Sequence, residues 1–126
     1  MIKVTVIIPT YGMPIFLEST IHSVLNQTLK EFELIIVDDN NPNTEPRLQT
    51  EKLVNEICQF DSRVIYIKHD RNMNGAVARN SGFSLAKGKY IALLDSDDAY
   101  MPDRLQKCYD TMESSTENFA GVYTGC

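Results

Sequence analysis

Residues 90–98 have the sequence YIALLDSDD, in which an apolar run of strand length ends in three carboxylates within four residues. Carboxylates this close repel one another, so a cation or several hydrogen-bond donors must compensate their charge. Asp95 and Asp97 are separated by one residue, and a turn there would direct both toward one hard cation such as Mg²⁺ or Mn²⁺. The alternative is an Asp- and Ser-rich loop that caps the next helix. The stretch therefore predicts a buried strand followed by a candidate metal site.

The rest of the chain alternates strand patterns with helix patterns. Apolar, β-branched runs predict strands at 4–8, 32–37, 64–68 and 119–124, besides the one at 90–94. The first strand is expected to end at Pro9. Apolar residues at helical spacing predict helices around 17–25, at 46–60, at 76–86 and from Pro102 onward. In a chain of 126 residues this order predicts one α/β domain, with a doubly wound, mostly parallel sheet in three layers.

Polar residues follow three of these predicted strands. The segments Pro9–Tyr11, Asp38–Asp39 and Asp95–Asp98 come directly after strands one, two and four. Parallel strands have their carboxyl ends at the same edge of a sheet, and ligands of such sheets bind outside that edge. Chain direction alone therefore predicts that the three segments form one binding site.

Composition and charge exclude several partners. The net charge of −5 argues against nucleic acid, because nonspecific binding to its phosphates requires clustered Lys and Arg. No apolar run approaches the ~20 residues of a membrane span, so no transmembrane segment is expected. The first strand pattern begins directly after Lys3, without the cleavage pattern of a secretory signal, and we expect a cytoplasmic protein. His22 and His69 are isolated and are expected to be ordinary surface or capping residues.

The chemistry of the three segments suits a nucleotide. Tyr11 offers a flat ring on which a base can stack, or it packs on the surface. An ionised Asp only accepts hydrogen bonds, so Asp39 can bind a ring N–H such as that of uracil while Asp38 supports the loop. Turn stabilisation is the alternative. Asp97 would hold a metal that bridges diphosphate oxygens, and Asp95 would bind a ribose hydroxyl or share the ion. Because the chain has no Gly-rich phosphate loop with a lysine, sugar transfer from a nucleoside diphosphate is favoured over γ-phosphoryl transfer.

Four segments form an ordered set of motifs, namely VTVIIPTYG (4–12), FELIIVDDN (32–40), NGAVARNSG (74–82) and LLDSDD (93–98). In order and spacing they resemble the family-2 inverting glycosyltransferases of the GT-A fold, over essentially the whole chain. The pieces FELIIVDDNNPNTE (32–45) and AYMPDRL (99–105) are especially similar to those of bacterial spore-coat polysaccharide glycosyltransferases. The resemblance implies a Rossmann-like nucleotide-binding half, a nucleoside-diphosphate sugar donor, with UDP as the expected nucleotide, and a D-x-D metal motif.

The resemblance also implies roles for individual residues. Asp97 would coordinate Mn²⁺ or Mg²⁺, and Asp95 would contact the ribose. Arg79, in the ARN element, would lie near the nucleotide, although a surface cation is the alternative. Gly12 replaces the asparagine that is usual after the tyrosine, so the side-chain contact of that asparagine is not expected here. Nucleotide contacts are implied for Pro9, Thr10, Tyr11, Asp39, Arg79, Asp95 and Ser96.

The implied reaction is a single displacement at the anomeric carbon of the sugar, in which an acceptor hydroxyl attacks while the metal-bound nucleotide departs. A general base removes the acceptor proton. In the family this Asp or Glu lies in the acceptor-binding half, so we expect it beyond residue 126. Residues 1–126 are then the nucleotide-sugar-binding part of a GT-A domain, without the acceptor-binding part.

The expected acceptor is the hydroxyl of a glycan or a lipid-linked acceptor in polysaccharide synthesis. Whether two copies of the chain form a homodimer is left open by the sequence. Two alternatives from other classes are also open. One is a non-catalytic nucleotide-binding module. The other is a phosphoacceptor receiver domain, in which an acid pair and a later Asp share Mg²⁺.

Overall fold

The computed structural model of the protein describes residues 1–114 and the backbone of residues 122–123. Strands and helices alternate through this part of the chain as the sequence predicts, and the remainder of the predicted fifth strand lies outside the described residues. The elements are β1 (Val4–Thr10), α1 (Leu17–Leu25), β2 (Phe32–Asp38), α2 (Glu45–Phe60), β3 (Val64–Lys68), α3 (Gly75–Leu85), β4 (Tyr90–Leu93), α4 (Arg104–Glu113) and β5 (Val122–Tyr123).

The strands form one parallel sheet in the order β3-β2-β1-β4-β5. From β1 the chain builds the sheet outward in one direction as far as β3, and it then adds β4 and β5 on the other side of β1. The strand order therefore reverses between β1 and β4, and open α/β sheets bind their ligands at such a point. Receiver-like folds have the order 2-1-3-4-5 instead. The observed order contradicts the receiver-domain alternative.

Helices cover both faces of the sheet, and the residues of β1 and β2 are therefore buried on both sides. Val4, Val6 and Ile8 pack in one core with apolar residues of α1, α2 and α4. Ile7 and Ile35 face the other way and pack with α3. This arrangement confirms the predicted three-layer α/β/α architecture. Among the described residues, no helix is both long enough and apolar enough to cross a membrane.

β1 continues through Pro9 to Thr10, whereas the sequence predicts that it ends at Pro9. The carbonyl of Ile7 accepts a hydrogen bond from Leu94 N at 3.1 Å, so the odd-numbered residues of β1 direct their backbone polar groups toward β4. Pairing with β4 ends at Leu93, opposite Ile7. The N–H that Pro9 lacks would therefore face a position beyond the paired part of β4, and the strand tolerates a proline there.

α4 begins at Arg104, two residues after the predicted start at Pro102. The carbonyl of Pro102 accepts a hydrogen bond from Thr28 N at 2.8 Å, and Arg104 N donates to Met101 O at 3.0 Å. Residues 102–103 therefore form a turn that is tied to the end of α1, and the helix starts after this turn.

Candidate functional site

A cavity of about 660 Å³ lies at the carboxyl edge of the sheet, where the loops after β1, β2, β3 and β4 meet. The structure brings seven of the eight sequence-predicted site residues to this cavity. They come from three separate loops, as the direction of the strands predicts. They are Pro9, Thr10, Tyr11, Asp39, Asp95, Ser96 and Asp97.

Arg79, the eighth predicted residue, lines a neighbouring cavity of about 320 Å³. The two cavities share Pro9 and Asp95 in their walls, and Arg104 and Tyr100 also line the smaller one. Arg79 is half-buried on α3. Its contact with the nucleotide stays a prediction, because it stands beside the larger cavity rather than in its wall.

The loop after β1 forms one wall of the larger cavity. The side chain of Tyr11 is 64% exposed there, so its ring is free to be covered by a ligand. Gly12 has a φ of +88°, a left-handed conformation that favours glycine over the asparagine usual at this position. Its N–H donates to Asn40 Oδ1 at 2.8 Å, which ties the β1 loop to the β2 loop. The sequence reasoning missed the apolar continuation of this wall at residues 13–17, of which Phe16 is 60% exposed.

Asp38 is fully buried and holds the loops from beneath. Its carboxylate lies 3.2 Å from Arg47 Nε and accepts hydrogen bonds from the Tyr66 hydroxyl and from Asn40. Arg47 in turn donates to the carbonyls of Asn40 and His69, the second at 2.6 Å. Burial and the bond to Asp38 both raise the pKa of the Tyr66 hydroxyl. Asp38 therefore supports the loop after β2 and is not exposed to a ligand.

Asp39 is buried at the floor of the cavity, and its carboxylate accepts four hydrogen bonds from the segment after β3. Oδ1 accepts from His69 Nδ1 at 2.8 Å and from Met73 N at 2.9 Å. Oδ2 accepts from Asn72 Nδ2 and Asn74 N, both at 2.9 Å. Burial raises the pKa of the Asp39 carboxyl, but the bonds from His69, Met73 and Asn74 outweigh it, so the net pKa is lowered.

These four bonds fill the acceptor positions of a carboxylate, which has about four lone-pair sites. The contact of Asp39 with a uracil N–H stays a prediction. In the structure, Asp39 orders residues 69–74, and two residues of this segment, Asn72 and Asn74, line another wall of the cavity.

The expectation that His69 is an ordinary surface or capping residue is wrong. His69 is buried, with Nδ1 2.8 Å from Asp39 Oδ1 and Nε2 2.8 Å from Ser81 Oγ. Because an ionised Asp only accepts hydrogen bonds, Nδ1 carries a hydrogen in this pair. His69 therefore joins the ends of β2 and β3 to the middle of α3.

Asn72, Asn74 and Gly75 also line the cavity, and the sequence reasoning missed them. Asn74 has a φ of +108°, which is unusual for a residue other than glycine. Its side chain caps α3 by accepting from Val77 N at 3.0 Å, while its own N–H is held by Asp39. The direction rule that places the other loops could have found this one, since it follows β3.

The acidic turn after β4 presents two carboxylates to the cavity, those of Asp95 and Asp97, and both side chains are exposed. Asp98 N donates to Asp95 O at 3.1 Å and closes the turn, and Asp98 Oδ1 accepts from Ala99 N at 2.8 Å. Within the described part of the chain, no three His, Cys, Asp or Glu side chains are grouped to hold a metal. Mg²⁺ is commonly held by one or two carboxylates together with substrate phosphates. The donor set fits that kind of open site and does not form a closed cage.

A cavity at the switch point of a parallel sheet is typical of Rossmann-like ligand-binding proteins. The sequence model of the family "Glycosyl transferase family 2" matches residues 5–125. The chain belongs to this family, which confirms the resemblance seen in its motifs. The parallel α/β sheet agrees with the predicted GT-A fold.

Curated relatives are similar over most of the chain. An uncharacterized glycosyltransferase of Methanocaldococcus jannaschii is 42% identical over 90% of this chain and 38% of its own length. The putative teichuronic acid biosynthesis glycosyltransferase TuaG of Bacillus subtilis is 37% identical over 86% and 41%. WfaP of Escherichia coli, a UDP-Glc:alpha-D-GlcNAc-diphosphoundecaprenol beta-1,3-glucosyltransferase, is 36% identical over 93% and 44%. The chain thus spans less than half the length of these relatives.

Solved structures share the fold. TarS 1–349 of S. aureus in complex with UDP-GlcNAc has a TM-score of 0.74 and 25% identity, over 89% of this chain and 31% of that one. The mannosyltransferase PcManGT of Pyrobaculum calidifontis, in complex with GDP-Man and Mn²⁺, has a TM-score of 0.68 and 22% identity, over 78% and 28%. At that identity the second likeness concerns the fold alone.

Proposed function

We propose that residues 1–126 form the nucleotide-sugar-binding part of a metal-dependent, inverting glycosyltransferase. The donor is a UDP-sugar, and the acceptor is a hydroxyl of a glycan or a lipid-linked acceptor in polysaccharide synthesis. The observation that carries this proposal is the meeting of seven predicted site residues from three loops at one cavity, in a member of glycosyltransferase family 2. The UDP and UDP-GlcNAc complexes of TarS, and the UDP-Glc donor in the name of WfaP, support the choice of nucleotide.

Different residues of the chain bind different parts of the nucleotide and its metal ion. The exposed ring of Tyr11 stacks on the base, and such stacking contributes about 1–3 kcal/mol per base. Asp39 orders the wall at residues 69–74 against which the base lies. Asp97 holds Mn²⁺ or Mg²⁺. Asp95 contacts the ribose, or it shares the ion with Asp97. When bound, the cation offsets the negative charge that develops on the leaving diphosphate.

The acceptor site and the general base are proposed to lie in the part of the longer relatives that this chain does not cover. The reaction is then a single displacement, in which the base takes the proton from the attacking hydroxyl. On this proposal, residues 1–126 bind the donor and carry out little or no transfer. A cytoplasmic location stays a prediction of the sequence.

Isothermal titration of residues 1–126 with UDP tests the proposal. UDP is expected to bind in the presence of Mn²⁺ and to bind about tenfold or more weakly in excess EDTA. Asp97→Ala is expected to bind UDP in Mn²⁺ as weakly as the unsubstituted chain does in EDTA. Asp110→Ala is the matched control, because Asp110 is an exposed aspartate on α4 and lines neither cavity.

Equal UDP affinity for the unsubstituted chain and Asp97→Ala in Mn²⁺ would remove the metal site from the proposal. A matching loss in Asp110→Ala would show that general negative charge, rather than the acidic turn, attracts the ion. Turnover separates the transferase from the non-catalytic module. On this proposal, a chain that also carries the acceptor-binding part should release UDP from a UDP-sugar faster when an acceptor glycan is added, whereas a non-catalytic module would not.

A further inference from the structure

Three polar side chains of α1 and of the residues just after it face the segment that carries the acidic turn. They are Thr20, Ser23 and Gln27, spaced so that they lie on one side of the helix and its extension. Thr20 is 1% exposed and Gln27 is 0% exposed. All three bond to the backbone of residues 96–105. We call this set the α1 clamp.

Thr20 contacts the backbone on both sides of Asp97. Its hydroxyl Oγ1 lies 2.6 Å from Asp98 O and 3.0 Å from Ser96 O. The Phe16 carbonyl of the same helix is also within 3.0 Å. A threonine hydroxyl has one hydrogen to donate, so the three carbonyls share it, and the shortest distance is to the acidic turn. Thr20 therefore contacts one peptide group on each side of Asp97, that between Ser96 and Asp97 and that between Asp98 and Ala99.

Ser23 and Gln27 hold the segment farther from the turn. Ser23 Oγ accepts from Tyr100 N at 3.1 Å and donates to Thr20 O at 2.7 Å. Gln27 Nε2 donates to Met101 O at 2.6 Å, and Gln27 Oε1 accepts from Leu105 N at 2.9 Å. Residues 98–103 lie in neither a strand nor a helix. Their backbone groups therefore need partners from elsewhere, and the α1 clamp supplies them.

Asp97 itself depends on this support. Its side chain is exposed and makes no hydrogen bond or ion pair with another described residue. No second side chain orients the carboxylate, so the backbone of residues 96–98 is what places this side chain at the cavity, by fixing the direction of its Cα–Cβ bond. A ligand group that is fixed in advance binds an ion more tightly than one that must be ordered during binding.

We propose that Thr20 is a positioning residue for the metal-binding turn, and that its hydroxyl makes Asp97 ready to hold a divalent cation beside the nucleotide. This inference rests on the proposed function. Thr20 touches neither the nucleotide nor the ion and acts through the carbonyls of Ser96 and Asp98. Ser23 and Gln27 support the same segment at its far end.

The test measures a quantity that a purely structural role of Thr20 would leave unchanged. This quantity is the manganese enhancement, defined as the ratio of the UDP association constants in Mn²⁺ and in EDTA. Thr20→Val keeps the shape of the side chain and removes the hydroxyl. Since each lost hydrogen bond contributes about 0.5–1.5 kcal/mol, the enhancement is expected to fall by about two- to twelvefold, with UDP binding in EDTA unchanged.

Two variants serve as controls for Thr20→Val. Thr20→Ser keeps the hydroxyl and is expected to retain the enhancement. Thr50→Val makes the same change at another fully buried helical threonine, whose hydroxyl has no hydrogen-bond partner among the described residues. This variant is also expected to retain the manganese enhancement. If Thr20→Val does not fold, Ser23→Ala takes its place, because it removes the bond to Tyr100 N and should also lower the enhancement.

Loss of the enhancement in Thr20→Val, with both controls unaffected, supports the inference. A folded Thr20→Val that keeps the full enhancement overturns the inference. If Thr20→Val does not fold, a folded Ser23→Ala that keeps the full enhancement overturns the inference in the same way. Asp97→Ala shows whether the proposed metal site fails or only the positioning role of Thr20. If Asp97→Ala loses the enhancement and Thr20→Val does not, only the positioning role fails. If Asp97→Ala also keeps it, the proposed metal site fails together with the inference.

Discussion

Asp39→Asn is expected to loosen the wall of the cavity formed by residues 69–74. The amide has one oxygen where the carboxylate has two, so two of the four hydrogen bonds to this segment are lost and two donors face an NH₂ group. A hydrogen bond to a charged group contributes about 1.5–3 kcal/mol, so the loss lies between about 3 and 6 kcal/mol. Because part of the segment is open to water, we expect the lower value, about 3 kcal/mol.

Chemical denaturation and amide hydrogen exchange both measure this effect. The free energy of unfolding should fall by about 3 kcal/mol, and the amide of Met73 or of Asn74, whichever then faces the NH₂ group, should exchange on the order of 100-fold faster. Asp61→Asn is the control, because Asp61 also has a lowered pKa but bonds only to Arg63, two residues away at the surface. We expect its free energy of unfolding to change by less than about 1 kcal/mol.

The pH dependence of the same variant provides a second measurement. The carboxyl pKa of Asp39 is lowered in the folded protein, so its contribution to stability is present above its ordinary value of 3.8 and is lost as the pH falls through the lowered pKa. Asp39→Asn should remove this part of the acid dependence. Unchanged exchange at Met73 and Asn74 in Asp39→Asn, together with an unchanged free energy of unfolding, would refute the assignment of Asp39 as the residue that orders the segment.

Two further predictions concern the framework of the sheet. Gly88→Ala should lower the free energy of unfolding by about 3 kcal/mol or more in a denaturant titration, because the added Cβ would lie 2.5 Å from Thr5 N, a backbone atom of the central strand. Gly75→Ala meets only a flexible arginine tip, at 3.3 Å, and should be tolerated far better. Hydrogen bonds from Lys89 and two tyrosine hydroxyls lower the pKa of Glu113 to about 2. Its contribution to stability is therefore present above pH 4.5 and lost as the pH falls through about 2. In Glu113→Gln, the free energy of unfolding should depend less on pH in that range.

The order and type of the elements follow from local patterns, and the structure confirms them. Val4–Ile8 and Phe32–Val37 are short, nearly continuous apolar runs, which are typical of strands buried on both faces. The acids at 38–39 and 95–98 follow strands, and strand direction is a property of the chain. This is why the sequence predicts a common edge for them. The errors at Pro9 and Pro102 arise because the neighbours β4 and Thr28, which decide these boundaries, are distant in the chain.

The sequence by itself determined the α/β class, the family and the edge of the sheet at which the acidic residues meet, because each depends on periodicity, chain direction or ordered motifs. Only the tertiary structure decided which of two adjacent acids is buried against Arg47 and which one orders residues 69–74. It also decided that His69 bonds to Asp39 and that Thr20 lies beneath the acidic turn. The bond of Asp39 to His69 joins residues 30 positions apart, and that of Thr20 to Ser96 joins residues 76 positions apart. A hydrogen bond at that separation depends on how the helices and strands pack, and no local pattern of residue types encodes it.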